Sequence, residues 1–161
     1  MDTSIKQNQA EQGFQNWLDK HGIAYWSIKQ SINSFSPALK ENFTKRPDFL
    51  ILIPNIGLII IEVKYKKQAT KHNKFFLNAA ETDKYVNLQR RFNLQTWYVI
   101  SNEDYHFNTW FWIPATKALE SGFHFISKVT GTNCLSVPVE NFIQVSSDDS
   151  LERVFSKILK F

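Results

Sequence analysis

One cysteine in 161 residues, Cys134, excludes an internal disulfide, and a buried thiol is expected there rather than a nucleophile. Five glycines and five prolines, scattered along the chain, leave no stretch that reads as a flexible linker, and no repeat is present at solenoid periods. One compact domain over residues 1–161 is expected. The longest apolar run, Phe49 to Ile53, falls far short of the roughly 20 residues that a membrane span needs. The first residues, Met-Asp-Thr-Ser-Ile-Lys-Gln, lack the apolar core of a secretory signal, so an intracellular, cytoplasmic setting is the expectation. No Gly-x-x-x-x-Gly-Lys loop and no Gly-x-Gly-x-x-Gly turn occurs, and no nucleotide cofactor is expected. His21, His72, His106 and His124 are scattered without the spacing of a zinc site.

What the chain has is apolar and aromatic bulk, 43% and 15% of residues, with a net charge of +4. That is enough for one core, and the basic bias suits a polyanionic partner without requiring one. The bias has a local focus: Lys64, Lys66, Lys67, Lys71 and Lys74 share one short segment with His72. Such a run binds phosphates or is a solvated loop. Trp97, Trp110, Phe111 and Trp112 alternate faces on strands and are expected to be core rather than base-stacking platforms.

Residues 4–20 carry Ala10, Phe14, Trp17 and Leu18 at helical spacing, and His21-Gly22 ends the pattern, so an amphipathic first helix is expected with Glu11 bordering its buried stripe. Ile23 to Ile28 reads as a strand and Ser31 to Lys45 as a loop. Two aliphatic runs, Phe49 to Ile53 and Leu58 to Ile61, flank Pro54-Asn55-Ile56-Gly57 and predict a hairpin of central strands covered on both faces. A second helix is expected over Ala79 to Phe92, with Tyr85, Leu88 and Phe92 on one face. Strands follow at Thr96 to Ile100 and Thr109 to Ile113. Beyond Pro114 the pattern weakens: a short helix near 115–120, extended segments at 123–127 and 141–145, and a last helix. Asp149 and Glu152 read as the capping box of that helix, and Leu151, Val154, Phe155, Ile158 and Leu159 as its stripe. The class is a mixed α/β sandwich.

Glu62 and Lys64 stand two apart at the end of an aliphatic strand and so share a face. With the turn centred on Asn55, Asp48 falls across the hairpin from Glu62. Two carboxylates at the mouth of a sheet offer hard oxygens suited to Mg²⁺, which keeps waters and accepts phosphate oxygens, and a lysine can offset charge on a phosphate. The plainer alternative is an end-of-strand aspartate beside a Glu62–Lys64 surface ion pair.

Pro47-Asp48, thirteen intervening residues and Glu62-Val63-Lys64 together resemble the PD-(D/E)XK nuclease superfamily. The resemblance implies a restriction-endonuclease-like αβββαβ core, about residues 4–114, with a C-terminal extension over 115–161 ending in a helix. It further implies a metal-dependent endonuclease in which Asp48, Glu62 and the Val63 carbonyl hold Mg²⁺, for which Mn²⁺ substitutes. In the same implied scheme Lys64 activates water or stabilises the transition state and Glu11 assists the metal. Gln89 is a further candidate, although it follows Tyr85 where the superfamily's glutamine precedes its tyrosine. Lys66, Lys67, Arg90 and Arg91 are candidate phosphate contacts. The implied partner is DNA, with RNA left open, and a homodimer would place two sites on two strands. The competing expectation is a catalytically inactive nucleic-acid-binding or assembly subunit of the same fold.

Overall fold

The computed structural model describes residues 2–67 and 72–156. Helix α1 spans Thr3–Lys20 and buries Ala10, Phe14, Trp17 and Leu18, the stripe that its spacing predicts. It stops because Gly22 takes φ +62°, a conformation that costs glycine little, and the amides of Gly22 and Ile23 turn back to the carbonyls of Asp19 and Leu18. Strand β1 is only Tyr25–Ser27. The expected loop after it contains a short helix, α2 (Pro37–Glu41), which the sequence signals after all: Ser36 caps it and Pro37 opens it.

Strands β2 (Phe49–Ile53) and β3 (Gly57–Tyr65) form the hairpin, with Asn55 and Gly57 at positive φ in the turn. The register runs from Ile53 opposite Gly57 to Phe49 opposite Ile61. Next come β4 (Lys74–Asn78), α3 (Ala79–Phe92), β5 (Thr96–Ser101), β6 (Thr109–Pro114) and α4 (Ala115–Ser121). Then follow β7 (Phe123–Ile126), β8 (Asn133–Pro138), β9 (Ile143–Ser146) and α5 (Glu152–Phe155).

The main sheet has the order β1-β2-β3-β5-β6-β9, and only its β3–β5 pair is parallel. A core lies on each face. Against one face, Phe14 and Trp17 of α1 pack with Phe49, Trp110, Trp112 and Val145, joined by Phe155 of α5. Against the other, Tyr85, Val86 and Leu88 of α3 and Ala115 and Ala118 of α4 pack with Tyr98, Ile100 and Phe111, and a small sheet, β4-β8-β7, closes that layer with Phe75, Leu77, Leu135 and Val137. Trp97, Trp110 and Trp112 are core, at most 1% exposed.

Several expectations need correction. β4 and β8 were not expected as strands; β4 lies in the lysine-rich segment, whose Phe75 and Leu77 alternate inward. The hairpin is covered on both faces only toward its charged end, where Ile60 and Glu62 are buried on the α3 side; nearer the turn Leu52 and Leu58 are substantially exposed on that face, and Phe92 is an exposed end of the α3 stripe. The segment after Pro114 is woven into both sheets rather than appended, β8 pairing with β4 and β9 with β6. Asp149 does not cap α5: its carboxylate accepts the amide and hydroxyl of Ser146 behind it, at 2.8 and 3.0 Å. Cys134 is half-buried on β8. Ile158, Leu159 and Lys71 lie outside the described residues. Among the described residues no helix is long and apolar enough to cross a membrane.

Candidate active site

The ladder of the hairpin ends where the charged residues begin. Asp48 N donates to the Ile61 carbonyl at 3.1 Å, and one carboxylate oxygen, Oδ2, accepts the Val63 amide at 2.8 Å, so a side chain takes over from the main chain in joining the strands. Ile61 and Val63 point into the α1-side core, and alternation therefore turns Ile60, Glu62 and Lys64 to the α3 side. The strand is aliphatic up to this point, which is why Glu62 is buried at 5% exposure and Asp48 at 9%.

Helix α1 supplies the floor. Gln7 Nε2 donates to both Glu11 Oε1, at 2.7 Å, and the Val63 carbonyl, at 2.8 Å, while its Oε1 accepts the Tyr65 amide at 2.8 Å. One glutamine thus fastens α1 to the charged end of β3. Helix α3 supplies the opposite wall with its N-terminal end: Asn78 caps the helix by accepting the Glu81 amide, and Glu81 Oε1 meets Lys64 Nζ at 2.5 Å. Lys64 Nζ also pairs with Glu62 Oε1 at 2.8 Å, and Lys45 joins Glu81 from the other side. Asp48, Glu62, Lys64, Glu11, Gln7, Lys45 and Lys66 all line one open groove of about 410 Å³. A larger cleft of about 700 Å³, between His21, Leu52, Pro54 and Phe155, opens at the far end of the hairpin; it is mainly apolar and holds no paired carboxylates.

Three carboxylates (Glu11, Asp48, Glu62) and four cationic side chains (Lys45, Arg46, Lys64, Lys66) line the groove, and burial acts on both kinds. Burial, then the facing carboxylates of Glu62 and Glu11, push the Asp48 carboxyl up to about 9. Burial also raises Glu62, and the adjacent Lys64 offsets part of that. For Lys64 burial acts downward, but Glu62 and Glu81 outweigh it and hold the ammonium above its ordinary value. Glu81 is likewise resisted by burial yet pulled down by Lys64 and Lys45. Burial and neighbouring Lys64 lower Lys66.

Glu62 Oε2 is buried without a well-directed hydrogen bond among the described residues, although the Tyr85 hydroxyl lies against the Glu62 carboxylate, so it keeps lone-pair capacity that costs free energy to leave unused. The Glu62 carboxylate faces that of Asp48 closely enough to raise it. No group of three or more His, Cys, Asp or Glu side chains forms a ready-made ligand sphere among the described residues. Two carboxylates and a carbonyl, with water completing the sphere, are the donor chemistry of Mg²⁺ rather than of a caged or thiolate-bound metal.

No family model and no curated protein matches this sequence. Solved structures do. A Holliday junction resolvase from the archaeal hyperthermophile Archaeoglobus fulgidus superposes with a TM-score of 0.54 at 18% identity, over 84% of this chain and 90% of the resolvase. This chain has the restriction-endonuclease-like fold. A bacterial homing endonuclease (TM-score 0.47, 11% identity, 81% of this chain and 82% of that one) and a nuclease from a fusellovirus (0.43, 7%, 84% and 80%) are also similar.

On this restriction-endonuclease-like frame the sequence candidates divide. Asp48, Glu62, Val63, Lys64, Glu11 and Lys66 come together, and Lys67 follows on the exposed chain beyond β3. Gln89 does not join them: its Oε1 accepts the Thr96 amide at 3.0 Å, tying the end of α3 to the start of β5. Arg90 and Arg91 occupy the last turn of α3, whereas the first turn faces the groove. Gln7 and Glu81 are the residues that sequence reasoning missed. Each carried a signal: Gln7 continues the α1 stripe as its one amide, three residues before Ala10, and Asn78 with Glu81 is a cap pattern opening an amphipathic helix.

Proposed function

We propose that the chain is a metal-dependent endonuclease that hydrolyses phosphodiester bonds of DNA. The observation that carries this reading is the buried Asp48–Glu62 pair at the hairpin end, with Lys64 Nζ 2.8 Å from Glu62 Oε1. Asp48, Glu62 and the Val63 carbonyl would hold Mg²⁺, with Mn²⁺ as substitute and Glu11 behind them; bound there, the ion supplies Lewis acidity toward a phosphate oxygen and toward water. Asp48 is already fixed by the Val63 amide, so its free oxygen faces the groove. Lys64, kept protonated by Glu62 and Glu81, orients the water and offsets charge that develops on the phosphate. Gln7 holds the Val63 carbonyl and Glu11 in place. Lys66 and Lys67 meet the flanking phosphates.

The test is purified protein with Mg²⁺ on plasmid, single-stranded DNA, branched DNA and RNA. Wild type cuts DNA and Lys64→Ala is slower by about a hundredfold or more; equal inactivity of both on every substrate overturns the reading. A second reading, an inactive nucleic-acid-binding subunit, draws on the double engagement of Lys64 by Glu62 and Glu81. It predicts no heat of Mg²⁺ or Mn²⁺ binding in calorimetry.

A further inference from the structure

Of the five tryptophans, Trp17, Trp97, Trp110 and Trp112 are at most 2% exposed, and Trp26 is 69% exposed. An exposed tryptophan on a short edge strand sets a large apolar surface against water with nothing in the fold to gain from it. Its position is specific. Trp26 lies directly opposite Leu50 in the β1–β2 ladder, and Leu50 lies opposite Ile60, so the three share one face. That is the face of Glu62 and Lys64, the next two outward positions along β3 after Ile60. The row of Trp26 is therefore one two-residue step, about 7 Å, from the row of the candidate metal ligands. The chain that leaves β1 stays beside the site: Ile28 N donates to the Asp48 carbonyl at 2.8 Å.

The surroundings pair this apolar surface with positive charge. Lys29 is exposed just beyond Ile28, and Lys45, paired with Glu81, lines the groove. On the α3 side of the same face Phe43 is 54% exposed, with Lys84 Nζ 5.1 Å from its ring centre. Exposed aromatic rings beside lysines that follow a backbone are the means by which proteins hold unpaired bases, the ring taking the base and the ammonium groups the phosphates. A duplex keeps its bases stacked inside and offers Trp26 only sugar and phosphate.

We propose that Trp26 stacks on an unpaired nucleobase next to the phosphate taken by the site that Asp48, Glu62 and Lys64 line, so that this site takes strands with unpaired bases in preference to continuous duplex. The inference rests on the nuclease reading for the place of that phosphate, and on Trp26 for the substrate class.

The experiment uses the whole chain in chelator, where no DNA is cut, titrated with a single-stranded thymidine oligonucleotide and with a closed hairpin duplex while intrinsic tryptophan fluorescence is followed. All five indoles emit, but only Trp26 is open to a stacking base, so a change on binding that Trp26→Ala loses reads Trp26. The single strand is expected to quench it and to bind about tenfold or more tighter than the duplex; Trp26→Ala is expected to abolish the response and weaken single-strand binding, followed by anisotropy of labelled oligonucleotide, by about tenfold or more, with Trp26→Phe retaining most of the affinity. Equal binding of the two nucleic acids overturns the proposal, as does single-strand affinity unchanged in both variants. So does quenching that follows protein concentration alone with a doubled sedimentation mass, which would give Trp26 to a second copy of the chain. Circular dichroism checks that each variant is folded, and Trp26→Phe keeps the question answerable should Trp26→Ala unfold. Mg²⁺-dependent cutting without any single-strand preference removes this inference and leaves the nuclease reading standing; single-strand binding without cutting does the reverse.

Discussion

At the scale of the residue, the groove is built against its own stability. Asp48 keeps its proton in the folded chain up to about pH 9, while an unfolded aspartate releases it near 3.8. Between those values the folded state binds the extra proton, so metal-free stability falls as pH rises through that interval. Asp48→Asn retains an oxygen for the Val63 amide and removes the charge. In chelator it is expected to melt higher than wild type at pH 8, by on the order of 2 kcal/mol, with a flatter dependence on pH, and to lose cleavage with Mg²⁺. Thermal melts at pH 5 and pH 8 check it; a variant less stable than wild type at pH 8 contradicts the burial argument. Glu81 has the opposite character, because it compensates two lysines. Its side chain is 19% exposed against 42% for Lys45. Glu81→Ala, which strands Lys64 and Lys45 together, is expected to cost about 2 kcal/mol, and Lys45→Ala less than about 1 kcal/mol, in urea denaturation.

At the scale of the element, the site depends on two helices gripping one strand end. The first turns of α1 are fastened at Lys6, whose Nζ lies 2.6 Å from Glu103 Oε1 and 3.2 Å from the Tyr65 hydroxyl. The Lys6 ammonium holds Glu103 down to about 2, against an ordinary 4.5. A carboxyl depressed in the folded state stabilises above its unfolded value and loses that contribution as pH falls toward the folded one. Glu103→Gln is therefore expected to lower stability at pH 6 but to narrow its difference from wild type between pH 4.5 and 2, followed by fluorescence melts. How legible these elements were follows from how local their causes are. The β2–β3 hairpin and its register were readable because two aliphatic runs and one Pro-Asn-x-Gly turn determine both, and α1 and α3 because their stripes and caps are continuous in sequence. β4 and β8 were obscure for the converse reason. Each is a short strand whose inward residues, Phe75 and Leu77 or Leu135 and Val137, make sense only once α3 is above them. The site divided the same way: Asp48, Glu62 and Lys64 lie within one hairpin, while Glu81 reaches Lys64 only through the fold, and the helical turn that would bring Gln89 to the groove points its amide at Thr96 instead.

At the scale of the whole molecule, the sheet carries a core on both faces and still leaves one end open, and there the free energy of folding is spent on buried carboxylates rather than on packing. Metal binding must then act on the stability of the entire chain. Because α1, β2, β3 and α3 all meet at the groove, an ion held there by Asp48, Glu62 and the Val63 carbonyl is bound by the folded state alone. Mass action then stabilises it by about 2.7 kcal/mol at a hundred times the dissociation constant, which for a chain of this length is a rise in Tm of roughly 5–10 °C. The rise should be larger at pH 8 than at pH 5, since the ion must displace the proton held on Asp48 and that displacement costs less as the pH approaches about 9. Asp48→Asn, already relieved, should gain little. Differential scanning calorimetry with and without 10-fold steps of Mg²⁺ measures all three quantities in one series. A Tm that does not move with Mg²⁺ or Mn²⁺ for wild type at pH 8 would remove the metal from the site, and with it the reason for burying the two carboxylates side by side.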